Sequence, residues 1–240
     1  MKGSIGVALV GLVASSVLAV PALAKNDDAP PAAPRPAERT TMVVVGDSIS
    51  SSYSRDGVGD KLAWWSILAD RIDVEPVVLA EGGSGYLRRG VRCTGTSFLD
   101  RVNAHPEVIR TADVVIVEGG VNDRRHCLAV RSNGRGDARS SPQQVDDAVR
   151  ATLARVDELA RPDATVIVTV PWGNGRRISS SRWWVTNLVR SAALDHDFEY
   201  VDTATEAIRH PHRTIDGIHP NRFGNQEIAK RLFYRSSLNP

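Results

Sequence analysis

Apolar positions along this chain fall into two alternating patterns. Five short uninterrupted runs rich in Val and Ile, at residues 41–45, 76–80, 112–118, 164–170 and 199–202, have the length and β-branched content of strands buried on both faces. Between them the apolar positions recur at helical spacing. Leu62, Trp65, Leu68, Ala69 and Ile72 mark a helix over 61–72, with Asp60 as its N-cap and Trp64 and Trp65 as core and rim residues. Residues 97–103 suit a short helix. Val145, Ala148, Val149, Leu153, Val156 and Leu159 form the buried stripe of a long helix over 141–160, opened by Ser141 as N-cap and Pro142 in the first turn. Further helices are expected over 179–195 and 223–234, with a helical turn at 205–209. Strands alternating with helices predict an α/β domain built on an open parallel sheet, and no internal repeat is visible.

The polar segments after these strands carry the chemistry. Ligand sites in open parallel sheets lie beyond the carboxyl ends of the strands, and three strands end in small polar loops. The first delivers Gly46-Asp47-Ser48, the second Gly82-Gly83-Ser84-Gly85-Tyr86, the third Gly119-Gly120-Val121-Asn122-Asp123. Gly-Asp-Ser alone is ordinary turn chemistry. The glycine block reads either as a plain loop or as a place where backbone N–H groups approach a bound group. Pro171-Trp172-Gly173-Asn174-Gly175 follows the fourth strand, where Trp172 either flanks a substrate or packs within its loop. Residues 131–140 form a polar excursion, and Arg135-Gly136-Asp137 within it reads as loop composition. Near the end, Asp216-Gly217-Ile218-His219-Pro220 holds a histidine on a turn before the last helix, with Asp216 placed to curl back to its ring.

Composition adds bounds. The 240 residues are 42% hydrophobic and 24% charged, with a net charge of +2, enough for one full-sized core and too balanced to suggest a nucleic-acid partner. Arg35, Arg39, Arg88, Arg89, Arg92, Arg124 and Arg125 are scattered and read as a solvated surface. Residues 1–24 have the basic start, apolar run and small-residue ending of a secretory signal, with cleavage expected after Ala24 and no lipid-bearing cysteine following. Retention as an anchor is the alternative. Residues 25–39 carry Pro30, Pro31, Pro34 and Pro36 and read as an extended linker, so the folded domain is expected at 40–240. In an exported chain Cys93 and Cys127 are expected to pair as a disulfide; they are too far apart in sequence for a close Cys-x-x-Cys metal pair.

Together these segments hold a hydroxyl, a base, an orienting acid and oxyanion donors, the parts that acyl transfer requires. Gly46-Asp47-Ser48, Gly82-Gly83-Ser84-Gly85, Gly120-Val121-Asn122-Asp123 and Asp216-Gly217-Ile218-His219 resemble, in order and spacing, the four sequence blocks of SGNH hydrolases of the GDSL esterase/lipase superfamily, of secreted bacterial type. The resemblance runs from about residue 42 to 232. It implies a three-layer α/β/α sandwich with a five-stranded parallel, flavodoxin-like sheet, Ser48 as nucleophile, His219 as base and Asp216 as its orienting acid. It further implies an oxyanion hole from the N–H of Ser48, the N–H of Gly83 (Gly85 second) and the side chain of Asn122. The asparagine that commonly precedes the glycine block is absent, Val78-Leu79-Ala80-Glu81 standing there. The absence of a Gly-x-Ser-x-Gly elbow argues against an ordinary α/β-hydrolase.

The expected activity is therefore hydrolysis of carboxylic esters of lipids, envelope glycans or small alcohols by a secreted or envelope-associated monomer. No metal, organic cofactor or nucleic acid is called for, and no membrane span once the signal is removed. An acyltransferase on the same residues, or a silent envelope-binding module, are the alternative readings.

Overall fold

The computed structural model describes residues 40–51, 59–128, 137–170, 180–203 and 211–239. Residues 1–39, read above as signal and linker, Trp172 with its neighbours, and the helical turn expected at 205–209 lie outside the described residues. Five strands, β1 (Thr41–Gly46), β2 (Glu75–Ala80), β3 (Val114–Glu118), and two further along the chain at Thr165–Thr169 and Glu199–Val201, form one sheet. Between β3 and those two lies a small antiparallel pair, β4 (Arg125–Cys127) and β5 (Asp137–Arg139), so the last two strands are β6 and β7. The sheet order is β2-β1-β3-β6-β7 and every pairing is parallel.

Register explains why separate loops share one rim. Gly46 stands opposite Ala80 on one side and Glu118 on the other, and Glu118 stands opposite Thr169. Four strands thus run out at the same level. Since β1 has β2 on one side and β3 on the other, the chain leaves it at the point where the strand order reverses, which is where a crevice opens.

Both faces of the sheet are covered. Helices α1 (Trp64–Ile72), α2 (Phe98–Ala104), α3 (Pro106–Thr111), α4 (Pro142–Leu159), α5 (Ser180–Asp195) and α6 (Arg222–Arg235) supply the outer layers. Val43, Val45, Val115, Val117, Val166 and Val168 pack toward α2 to α5. Met42, Val44, Val114, Ile116 and Ile167 pack toward α1 and α6. Successive residues of a strand point to opposite faces, so burying both demands apolar side chains at every position. The result is the expected three-layer α/β/α sandwich.

Local signals act largely as read. Ser141 closes a reciprocal cap with Gln144 and Pro142 occupies the first turn of α4; Ser97 does the same with Asp100 for α2. Trp64 and Trp65 are buried. Asp60 is a correction: it opens only a single 3-10 turn, and α1 begins at Trp64, whose N–H is received by Asn225 Oδ1 at 2.9 Å. A cap 161 residues away is invisible to local pattern. The short helix α3 and the pair β4–β5, whose second strand falls within the excursion read as a loop, are likewise additional.

Candidate active site

Ser48 follows the end of β1 within a turn closed by the N–H groups of Ser50 and Ser51 on the Asp47 carbonyl. It is buried except at its tip, and its Oγ lies 3.0 Å from His219 Nε2. His219 sits just before α6, where its backbone is held by local bonds. Asp216 Oδ1 accepts the N–H of Ile218 at 3.0 Å and of His219 at 2.9 Å, while Oδ2 lies 2.7 Å from His219 Nδ1. Burial pushes the Asp216 carboxyl up, but the His219 and Ile218 N–H groups and the His219 ring outweigh it and hold it down at about 2. An ionised Asp216 can only accept. Nδ1 must therefore carry the proton, which leaves Nε2 as an acceptor for the Ser48 hydroxyl. Asn221 caps α6 by accepting the N–H groups of Phe223 and Gly224, and Asn225 donates to the carbonyls of Pro220 and Asn221, so the histidine turn is tied to the start of α6.

Opposite the histidine lie the glycine loop and Asn122. Gly82, Gly83, Asn122, Ser48 and His219 line one cleft of about 370 Å³. Gly83 has φ +72°, and a Cβ there would come within 2.8 Å of the Val91 backbone. Only glycine fits. Among the described residues, no group accepts from the N–H of Ser48 or of Gly83. Gly85, the second choice by sequence, differs: its N–H is given to the Arg88 carbonyl at 3.0 Å, and it backs onto the Asp123 carboxyl rather than lining the cleft. The Asn122 side-chain amide points toward the Ser84 carbonyl at 2.8 Å and Asp47 Oδ2 at 3.3 Å.

The comparisons bear on this arrangement. The sequence matches the GDSL-like Lipase/Acylhydrolase family over residues 44–227, which takes in all four loops. The chain belongs to that family. A search of curated proteins found no match. Among solved structures, a protein from Lactobacillus plantarum superposes with a TM-score of 0.60 at 21% identity, covering 82% of this chain and 95% of that one. A family two carbohydrate esterase from Clostridium thermocellum, in complex with cellohexaose, gives 0.60 at 17% identity over 85% of this chain and 65% of its own. A protein from Bacteroides uniformis described as a GDSL-like lipase gives 0.57 at 17%, over 83% and 96%. At these identities the likeness is one of fold, and the family is one of ester-cleaving hydrolases.

Behind the cleft of this GDSL-family domain lies a layer of buried charge. Asp47, Glu118 and Asp123 are completely buried. Burial pushes Asp47 up to about 7, against the Ile49 N–H, with the neighbouring Asp123 adding to the rise. Asp123 is pushed up by burial to about 6, although it accepts the N–H groups of Tyr86, Leu87 and Arg88 at 2.9 Å each. Those three bonds hold the glycine loop on the Asn122 turn. Burial, then the nearby Asp47, drives Glu118 well above the carboxylate range; its Oε2 contacts Ser50 Oγ and accepts the Asp47 N–H, while Oε1 has no partner. Its surroundings favour the neutral form.

Arg101, on α2, runs under the same loops. It donates to the carbonyls of Gly46 and Leu79 at 2.9 and 3.0 Å and to Ser84 Oγ at 2.9 Å, joining the ends of β1 and β2 to the glycine loop. Sequence reading passed over it, since an arginine on a short helix looks like surface. The reading of Arg88 and Arg124 as solvated surface is corrected, since both are partly buried, while Arg125 is exposed as read; all three line the cleft, with Asp137. Cys93 and Cys127 form a disulfide with Cα atoms 5.4 Å apart, joining the segment after the glycine loop to β4. Among the described residues, no three His, Cys, Asp or Glu side chains gather as a metal site, and no helix is long and apolar enough to cross a membrane.

Proposed function

We propose that this protein is a serine esterase that cleaves carboxylic esters through an acyl-enzyme on Ser48. The observation that carries the reading is the continuous relay from Ser48 Oγ to His219 Nε2 at 3.0 Å and from His219 Nδ1 to Asp216 at 2.7 Å, opening on a cleft with two unengaged backbone N–H groups. In this reading His219 takes the Ser48 proton as Oγ bonds to the ester carbonyl carbon. The carbonyl oxygen becomes an oxyanion, received by the N–H groups of Ser48 and Gly83 and by Asn122, which turns its longer bond away from Asp47. Collapse breaks the ester C–O bond, and His219 returns the proton to the departing alcohol. Water then repeats the sequence, releasing the acid and restoring Ser48.

Asp216 fixes the tautomer and stabilises the imidazolium formed midway. Acyl groups on glycans, lipids or small alcohols are the substrate class. Residues 1–24 act as a cleaved export signal and 25–39 as a linker, an assignment consistent with the Cys93–Cys127 disulfide, which an oxidising compartment preserves. The mature domain works as a monomer.

The test combines turnover of 4-nitrophenyl esters with labelling by a serine-directed phosphonate. The wild type should turn over and be labelled at Ser48, and Ser48→Ala should do neither. A protein inert to both reagents would remove the esterase reading.

A further inference from the structure

We propose that the cleft selects esters bearing a second, anionic group, and that Arg124 is the residue that reads it. This rests on the esterase reading for the chemistry, but the charge argument stands on separate residues. Arg88, Arg124 and Arg125 line the same cleft as Ser48 and His219. The only carboxylate among the described lining residues is Asp137. Its two oxygens are both taken, Oδ2 by Arg88 Nη1 at 3.0 Å and Oδ1 by Arg125 Nη2 at 2.7 Å.

Arg124 is left over. Among the described residues it pairs with no carboxylate, and its buried Nε–H meets no acceptor. Because Arg124 lines the cleft and is not neutralised by Asp137, its guanidinium is the one there that an anionic ligand can engage without first displacing a protein carboxylate. Three guanidiniums and one carboxylate line the cleft wall beside Asn122, while Asp216 stands behind His219 and Asp123 beneath the turn, so the positive character is local to the Arg88–Arg124–Arg125 side.

The position also matters. Arg124 stands two residues after Asn122, in the same single turn of 3-10 helix (Val121–Arg124), so its backbone is fixed by the element that carries the Asn122 amide. Arg125 then begins β4, whose partner β5 presents Asp137, and the disulfide at Cys127 fastens that pair to the glycine-loop segment. A basic wall is thus built as one rigid unit with the oxyanion side. Guanidinium groups receive carboxylates through paired N–H donors, so a carboxylate on the acid or the alcohol half of a short ester is the ligand chemistry that fits.

The experiment compares matched substrates. Mono-4-nitrophenyl adipate carries a carboxylate on its acyl half, and 4-nitrophenyl methyl adipate is its neutral counterpart; 4-acetoxybenzoate and its methyl ester place the same charge on the alcohol half. For at least one pair the wild type should prefer the anion by about tenfold to a hundredfold in kcat/KM, mainly through KM, and the preference should fall as salt rises. Which pair responds tells which half of the ester faces Arg124. Arg124→Gln should bring the ratio close to one and Arg124→Lys should restore part of it. Wild-type ratios near one for both pairs, with Ser48-dependent turnover intact, overturn the proposal and leave the esterase reading standing. Binding of adipate to the Ser48→Ala protein by calorimetry reads the anion site without catalysis: weakening by Arg124→Gln supports the proposal, and equal or absent binding in both backgrounds overturns it.

Discussion

Asp47 Oδ2 lies 3.3 Å from Asn122 Nδ2, joining the residue before the proposed nucleophile to the proposed oxyanion donor. The bond is the longer of the two that Asn122 makes, the other going to Ser84 at 2.8 Å. It is the one a developing oxyanion displaces at least cost. Asn122→Ala should therefore lower kcat on the order of 10²–10³-fold with little change in KM. Steady-state kinetics on a 4-nitrophenyl ester checks this, and a kcat within twofold of wild type would assign Asn122 to holding loops together.

The buried acids predict an inverted pH dependence of stability. Asp47 and Asp123 hold their protons to about 7 and about 6, against an ordinary 3.8 in the unfolded chain, and Glu118 is raised as well. Between those limits the folded state binds more protons than the unfolded one, so their contribution is full below about pH 4 and is lost as pH rises toward 7. Asp216 acts in the opposite sense, its contribution disappearing as pH falls from about 4 to about 2. Glu118→Gln removes one of the buried acids. Thermal melts from pH 4 to 8 should show a shallower decline in Tm for the variant than for the wild type.

Arg101 bridges two strand ends and the glycine loop from beneath. Arg101→Met would leave the Gly46 and Leu79 carbonyls and Ser84 Oγ without their donor, beside three buried acids. The expected loss is roughly 3–5 kcal/mol, the range for breaking a buried charged network from one side. Urea unfolding measures it. A loss below about 1 kcal/mol would mean that the buried acids are already neutral enough to dispense with the guanidinium.

The Cys93–Cys127 bond closes a loop over 34 residues of sequence. Removing it as Cys93→Ala with Cys127→Ala should cost roughly 3–4 kcal/mol on the chain-entropy account, and chemical reduction should lower Tm in the wild type but not in the double variant. Differential scanning calorimetry with and without reductant decides the matter.

Much of this architecture can be read from local pattern, because strands buried on both faces need apolar residues at every position and each ending must be a turn. The Val43-Val44-Val45-Gly46-Asp47-Ser48 stretch, the capped start of α4 and the Asp216–His219 turn are of this kind: their determinants lie within a few residues of one another. The small loops carrying Gly83 and Asn122 are legible for the same reason, since an amide that must approach closely demands a residue without a Cβ.

Other features could be decided only by folding. Asn225 as the acceptor for the first N–H of α1, Asp123 as the cap on three loop N–H groups, Arg101 beneath the strand ends, and Asp137 shared by two of three arginines all join residues far apart in sequence. Hydrophobic period reports which face of an element is buried and says nothing of which charges a loop will meet there. The sequence by itself determined an α/β sandwich with a serine, a histidine, an aspartate and an asparagine on one rim. The tertiary structure decided which glycine lines the cleft, how buried acids and Arg101 brace it, and that Arg124 lines it with no carboxylate partner among the described residues. Burial and pairing of charge are properties of places in space, and those places exist only once distant segments have packed.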